Sequence, residues 1–186
     1  MGSTRPDGRE DDSGAGPHAD PEAVARTILL DRLESQPRTR HELAQTLTRK
    51  NVPDEVADRV LDRFEEVGLV DDAAFARSWV ESRQSGRGLA RRALAQELRR
   101  KGVADDVARE ALDAIDPEAE TAAARTLVRR RLATMSRLDH QARVRRLTSM
   151  LARRGYPSGV AFSVVREELA DDPGDEAADE PLDPLD

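Results

Sequence analysis

The sequence predicts an all-α protein: three tandem three-helix repeats stacked into an elongated, curved array. Three observations lead there. Composition is the first. Alanine, leucine, arginine and glutamate dominate the 186 residues, charged residues make up 36% and aromatics only 3%. Such a chain favours helix and must build its core largely from Ala, Leu and Val. The second is an internal repeat. At an offset of 51, Leu43-Ala44-Gln45-Thr46-Leu47 aligns with Leu94-Ala95-Gln96-Glu97-Leu98, and at a further 53 Leu94 and Leu98 meet Leu147 and Leu151. Punctuation is the third. Asn51, Gly102 and Gly155 align as helix breaks, each followed by an aligned Val-Ala pair (Val56-Ala57, Val107-Ala108, Val160-Ala161).

Residues 1–20 are polar with almost nothing apolar, so a disordered tail is expected, with His18 inert within it. Repeat one spans 21–69. Asp20 caps its first helix and Pro21 takes the first helical position. Val24, Ile28, Leu29 and Leu33 form the apolar stripe, and Pro37 ends the helix. Thr39 with Glu42 has capping-box spacing, and Leu43 and Leu47 point inward. Pro53 opens a third helix with Val56, Val60, Leu61 and Phe64 inward, closed by Gly68.

Repeat two spans 70–115. Asp71 or Asp72 caps a helix carrying Phe75 and Trp79 on one buried face, with Arg83 laying its stem along that face and keeping its head in water. Gly86 and Gly88 break this helix, and another opens near Leu89 with Leu94 and Leu98 inward. A third helix places Val107, Ala111 and Leu112 inside. Repeat three spans 116–169. Asp116-Pro117 begins a helix with Ala124, Leu127, Val128 and Leu132 on one face, and Ser136 or Asp139 begins the next, with Val144, Leu147 and Leu151 inward. Pro157 opens the last, with Val160, Val164 and Val165. Residues 170–186 are acidic, contain three prolines and are expected to be disordered.

The ordered run Asp71, Asp72, Phe75, Ala76, Trp79, Val80, Arg83, then Gly88, Leu94, Glu97, Leu98, Lys101, Gly102 and Val103 resembles the central repeat of the RecX family. The resemblance spans about residues 21–169 and rests mainly on this middle unit. It implies a regulator without catalytic activity that binds the RecA recombinase filament on single-stranded DNA. It further implies inhibition of ATP hydrolysis, strand exchange and co-protease activity, and so modulation of homologous recombination and the SOS response.

The residues themselves argue against catalysis. His18, His41 and His140 stand apart from one another, and cysteine is absent, which excludes thiolate metal sites. No P-loop, nucleophile elbow or dinucleotide fingerprint occurs, so no cofactor or metal is expected. Asp71-Asp72 and Asp105-Asp106 are accounted for by capping and the helix dipole. No apolar run approaches the roughly 20 residues that span a bilayer, and the N-terminus lacks a signal-peptide core. A cytoplasmic monomer without membrane contact is therefore expected.

What remains is surface. The net charge of −7 divides into −3 for residues 1–20, −8 for 170–186 and +4 for the body, with +6 concentrated in 118–169. Helical spacing puts Arg92, Gln96, Arg99 and Arg100 on one face of a second helix. His41, Gln45, Thr48 and Arg49 in repeat one and Arg145, Ser149, Ala152 and Arg153 in repeat three occupy corresponding positions. The expected partner-binding residues are Arg92, Gln96, Arg99, Arg100, Arg145 and Arg153 on a basic stripe. Arg129, Arg130 and Arg131 add charge but cannot all face one partner, and Arg131 falls near the buried stripe. The alternative is a module binding DNA directly, with Arg91, Arg92, Arg99, Arg100 and Lys101 on phosphates. The modest body charge and scarce aromatics count against it. The acidic tail either folds back on the basic third repeat or serves only to solubilise.

Overall fold

The structure, a computed structural model, describes residues 20–171. Among these, nine helices run in order: α1 Pro21–Ser35, α2 Arg40–Arg49, α3 Asp54–Glu66, α4 Asp72–Arg87, α5 Arg91–Arg100, α6 Asp105–Asp113, α7 Pro117–Leu132, α8 His140–Arg153 and α9 Ser158–Ala170. Their strongest contacts fall within successive triplets. Each triplet closes its own core. Leu29, Leu43, Leu47, Leu61 and Phe64 fill the first, and Phe75, Leu94, Leu98 and Leu112 the second. Val128, Leu147, Leu151, Val164, Val165 and Leu169 fill the third, joined by Ala90 from the α4–α5 turn.

Local chemistry explains the starts and stops. The first helix of every triplet has an aspartate cap: Asp20 accepts from the Glu22 amide, Asp71 from Ala74 and Asp116 from Glu118. The Thr39–Glu42 capping box forms, and Asp139 caps α8. All three second helices end in one way. Asn51, Gly102 and Gly155 take left-handed conformations at φ 58°, 76° and 89°. The following amides (Val52, Val103, Tyr156) then reach back to the carbonyls of Leu47, Leu98 and Leu151.

Several expectations are corrected. Val24 is 40% exposed, and Ala25 takes the buried place beside Leu29, because the helix turns that face toward α3. Gly86 lies inside α4, and Gly88 alone, at φ 60°, ends it. Asp105 and Asp106 cap nothing. The cap position of α6 is Ala104, so the favourable dipole position, not capping, accounts for those two acids. Helix α9 extends to Ala170, one residue into the span expected to be disordered. The rest of the disorder expected for 1–20 and 170–186 lies outside the described residues, Asp20 and Asp171 apart.

The triplets join through the ends of their second helices. At the first junction the C-terminus of α5 abuts the N-terminus of α2. Thr39 Oγ1 donates to the Lys101 carbonyl at 2.6 Å, and Lys101 Nζ meets Glu42 Oε1 at 2.7 Å. At the second, the C-terminus of α8 abuts the N-terminus of α5. The Ala90 amide donates to the Arg154 carbonyl at 2.8 Å, and Tyr156 Oη to the Gly88 carbonyl at 3.2 Å. An acid from the next unit's first helix completes each junction. Asp72 accepts from the Arg40 amide at 2.9 Å and Glu120 from the Arg91 amide at 2.6 Å. Glu120 thus supplies the N-terminal partner that Ala90 lacks a side chain to provide.

Candidate partner-binding surface

Ion pairing decides which cations face a partner and which hold the fold. Arg40 is fixed between Asp62 and Glu65 at 2.7 Å each, Arg125 meets Glu167 at 2.9 Å, and Arg129 meets Glu168 at 2.5 Å. Arg91 pairs with Asp113 at 3.1 Å and donates to the Ile115 carbonyl at 3.0 Å. Lys101 pairs with Glu42 and stands 4.7 Å over the Trp79 ring. Arg91 and Lys101, two of the five cations assigned to phosphates in the DNA-binding alternative, are therefore engaged by the fold, Arg91 inside unit two and Lys101 across the first junction.

The six expected partner-binding residues are all exposed. Arg92 and Arg99 line a groove of about 480 Å³ between α5, α6 and the α8–α9 turn, which also holds Arg91, Arg109, Asp105, Asp113 and Glu120. Arg99 reaches Asp105 at 3.4 Å across solvent, a pair of small energetic weight. Arg145 and Arg153 line a separate hollow of about 610 Å³ on α8, together with Arg131, Arg146, Arg154, Met135, Ser149 and Met150. Gln96 and Arg100 lie outside both concavities. Unit one carries His41 and Gln45 at the corresponding place, hydrogen-bonded to each other at 2.9 Å.

The hollow on unit three differs from the groove on unit two. Five arginines face it and no acid lines it. Arg131 reaches Thr134, Arg145 reaches Gln141, and Arg154 reaches the Arg87 carbonyl, so none of the five is neutralised by a carboxylate among the described residues. Arg131 is a correction: it lies exposed on the hollow's wall rather than near the buried stripe. Sequence reasoning did not select Arg146 and Arg154 because they flank the i, i+8 spacing of Arg145 and Arg153, and set Arg131 aside as lying near the buried stripe. The paired dipeptides Arg145-Arg146 and Arg153-Arg154, two turns apart, were the available signal.

Sequence reasoning also missed a polar cluster behind the surface. Arg83 lies 4.0 Å over the Trp79 ring, with its Nε 3.4 Å from Glu97 Oε2, so its head is engaged rather than left in water. Trp79 Nε1 donates to Glu97 Oε2 at 2.9 Å, and the ring stacks on Phe75 at a centroid separation of 5.4 Å. Arg83 and Lys101 thus both lie over the tryptophan ring, and Lys101 carries the cluster across to Glu42 in unit one. Arg143, only 7% exposed, donates to the Leu138 and Ser136 carbonyls and pins the α7–α8 turn beside the hollow.

Comparisons with known proteins agree on one family. Sequence models for the first, second and third three-helix domains of RecX match residues 25–64, 71–112 and 118–165. Regulatory protein RecX of Thermobifida fusca is 56% identical over 166 residues, covering 88% of this chain and 89% of that protein. Regulatory protein RecX of Streptomyces coelicolor is 51% identical over 156 residues, covering 84% and 83%. Among solved structures, RecX from Lactobacillus salivarius superposes with a TM-score of 0.74 at 18% identity, covering 82% of this chain and 99% of that one, a likeness of fold. A second crystal structure, of a regulatory protein RecX, gives a TM-score of 0.71 at 25% identity, covering 80% and 73%.

Proposed function

The chain belongs to the RecX family, and on that premise we propose that it binds the RecA filament on single-stranded DNA and inhibits it. The inhibited activities are ATP hydrolysis, strand exchange and co-protease function, so the chain acts in the cytoplasm as a non-enzymatic modulator of recombination and the SOS response. The observation that carries this reading is the match of all three triplets, over most of both chains, to regulatory proteins of that name. The geometry supports it. Three units joined end to end offer a long surface, and a filament repeats its own surface, so modest contacts sum. Arg92, Arg99, Arg145 and Arg153, with Gln96 and Arg100 on the same helices' exposed sides, supply those contacts, and the chain acts as a monomer. A direct DNA contact is secondary, because Arg91 is paired with Asp113 inside unit two and Lys101 with Glu42 across the first junction.

Binding measured by fluorescence anisotropy on a labelled oligothymidylate, bare or coated with RecA, separates the two partners. The expected result is binding that requires RecA and weakens only gently with salt. Equal affinity for the bare strand, with a log–log salt slope of about −0.7 per phosphate neutralised, would replace the filament by DNA as the partner.

A further inference from the structure

Among the described residues, no carboxylate lines the five-arginine hollow on unit three. Unit three contains five acids between 118 and 169, and four have other work. Glu120 accepts from the Arg91 amide, Asp139 caps α8, Glu167 pairs with Arg125 and Glu168 with Arg129. The fifth, Glu118, is in the first turn of α7, while Arg131 is near that helix's other end, about 20 Å along the axis. Five guanidinium groups around one concavity raise the local potential and draw in an anionic segment.

We propose that this chain's own residues 172–186 occupy the hollow. That segment carries seven carboxylates (Asp172, Asp175, Glu176, Asp179, Glu180, Asp183 and Asp186) and no Lys or Arg, so its sign matches along its whole length. Its root is close. Leu169, at the end of α9, lines a depression with Val144 and Arg145, and Arg145 also lines the hollow. Fifteen residues reach about 50 Å at about 3.3 Å each, ample for the distance. Tethering makes the effective concentration about millimolar, so weak pairs suffice. The guanidinium groups can donate to any of the seven carboxylates, which favours a shifting set of contacts over one fixed pose. Any acidic or phosphate-bearing partner that uses the hollow must first displace the segment. The contact is independent of the recombinase reading and stands or falls without RecA.

The chain has no cysteine, so Ala178→Cys in the full-length protein takes a single nitroxide label. Backbone amide signals are then compared with the label oxidised and reduced, at about 0.01 M and about 1 M salt. The expected result at low salt is selective broadening around Arg145, Arg146, Ser149 and Arg153, lost at high salt. In the triple variant Arg145→Gln, Arg146→Gln, Arg153→Gln the same broadening disappears at low salt as well. Absent broadening, broadening spread evenly over the three units, or broadening that survives the triple variant each overturns the proposal and leaves the segment a solubilising one.

Discussion

Two single residues report on the two junctions. Trp79 is the sole tryptophan, contacted by both Arg83 and Lys101, and Lys101 also ties Glu42 across the first junction. Lys101→Ala removes a cation over the ring and a largely sheltered ion pair. A loss of about 1–2 kcal/mol is expected in urea unfolding followed by Trp79 fluorescence. Tyr156, the sole tyrosine, is 3% exposed at the second junction. Burial first, and the Glu120 charge second, push its hydroxyl up to about 12, with Arg154 pulling the other way. Both folded and unfolded states stay protonated below about pH 10. Between about 10 and 12 the unfolded state ionises and the folded state does not, so stability falls with rising pH by about 2–3 kcal/mol in all. Phenolate absorbance in native buffer should rise near 12, and in urea near 10; a native transition near 10 would place Tyr156 in water. The sequence showed Phe75 and Trp79 as one helical face, but not the two cations over the ring. Lys101 comes from another helix, and only tertiary contact brings it over the ring.

At the scale of helices, the starts and stops were legible wherever the chemistry is local. Asp20, Thr39–Glu42, Asp116 and the aligned breaks at Asn51, Gly102 and Gly155 act through neighbours within a few residues, and all appear in the structure. The start of helix α5 carries no local capping signal, because its partner is remote. Ala90 cannot cap, and Glu120, about thirty residues on, accepts the next amide instead. The glycines separate local strain from packing. Gly68 has φ +72° with open space around it, whereas a Cβ on Gly155, at φ +89°, would lie 2.5 Å from the Ala93 amide nitrogen. Gly68→Ala should cost only the left-handed conformation, about 1–2 kcal/mol. Gly155→Ala adds a clash across the junction and should cost about 3 kcal/mol or more. Urea midpoints of the two variants check the order, and equal losses would mean that the second junction does not press on this glycine.

For the molecule as a whole, the repeat period announced three triplets because each must bury one apolar face, and the three cores follow that division. The charge gradient likewise pointed to unit three. Which arginines gather was not legible, since helical spacing places residues on a face but does not say which acids neutralise them. Arg129 and Arg131 are two residues apart, yet one pairs with Glu168 and the other faces the hollow. The proposed contact surface for RecA is the exposed basic face of this array. The most direct measurement is RecA's single-stranded-DNA-dependent ATP hydrolysis, titrated with the full-length chain and with Arg145→Ala/Arg153→Ala. Inhibition by the wild-type chain is expected below one copy per recombinase, with a loss of potency of about tenfold in the double variant, the effect of two exposed charge contacts. Uninhibited hydrolysis at saturating wild-type chain would contradict the regulator reading, and equal potency of the two proteins would contradict the surface assigned to it.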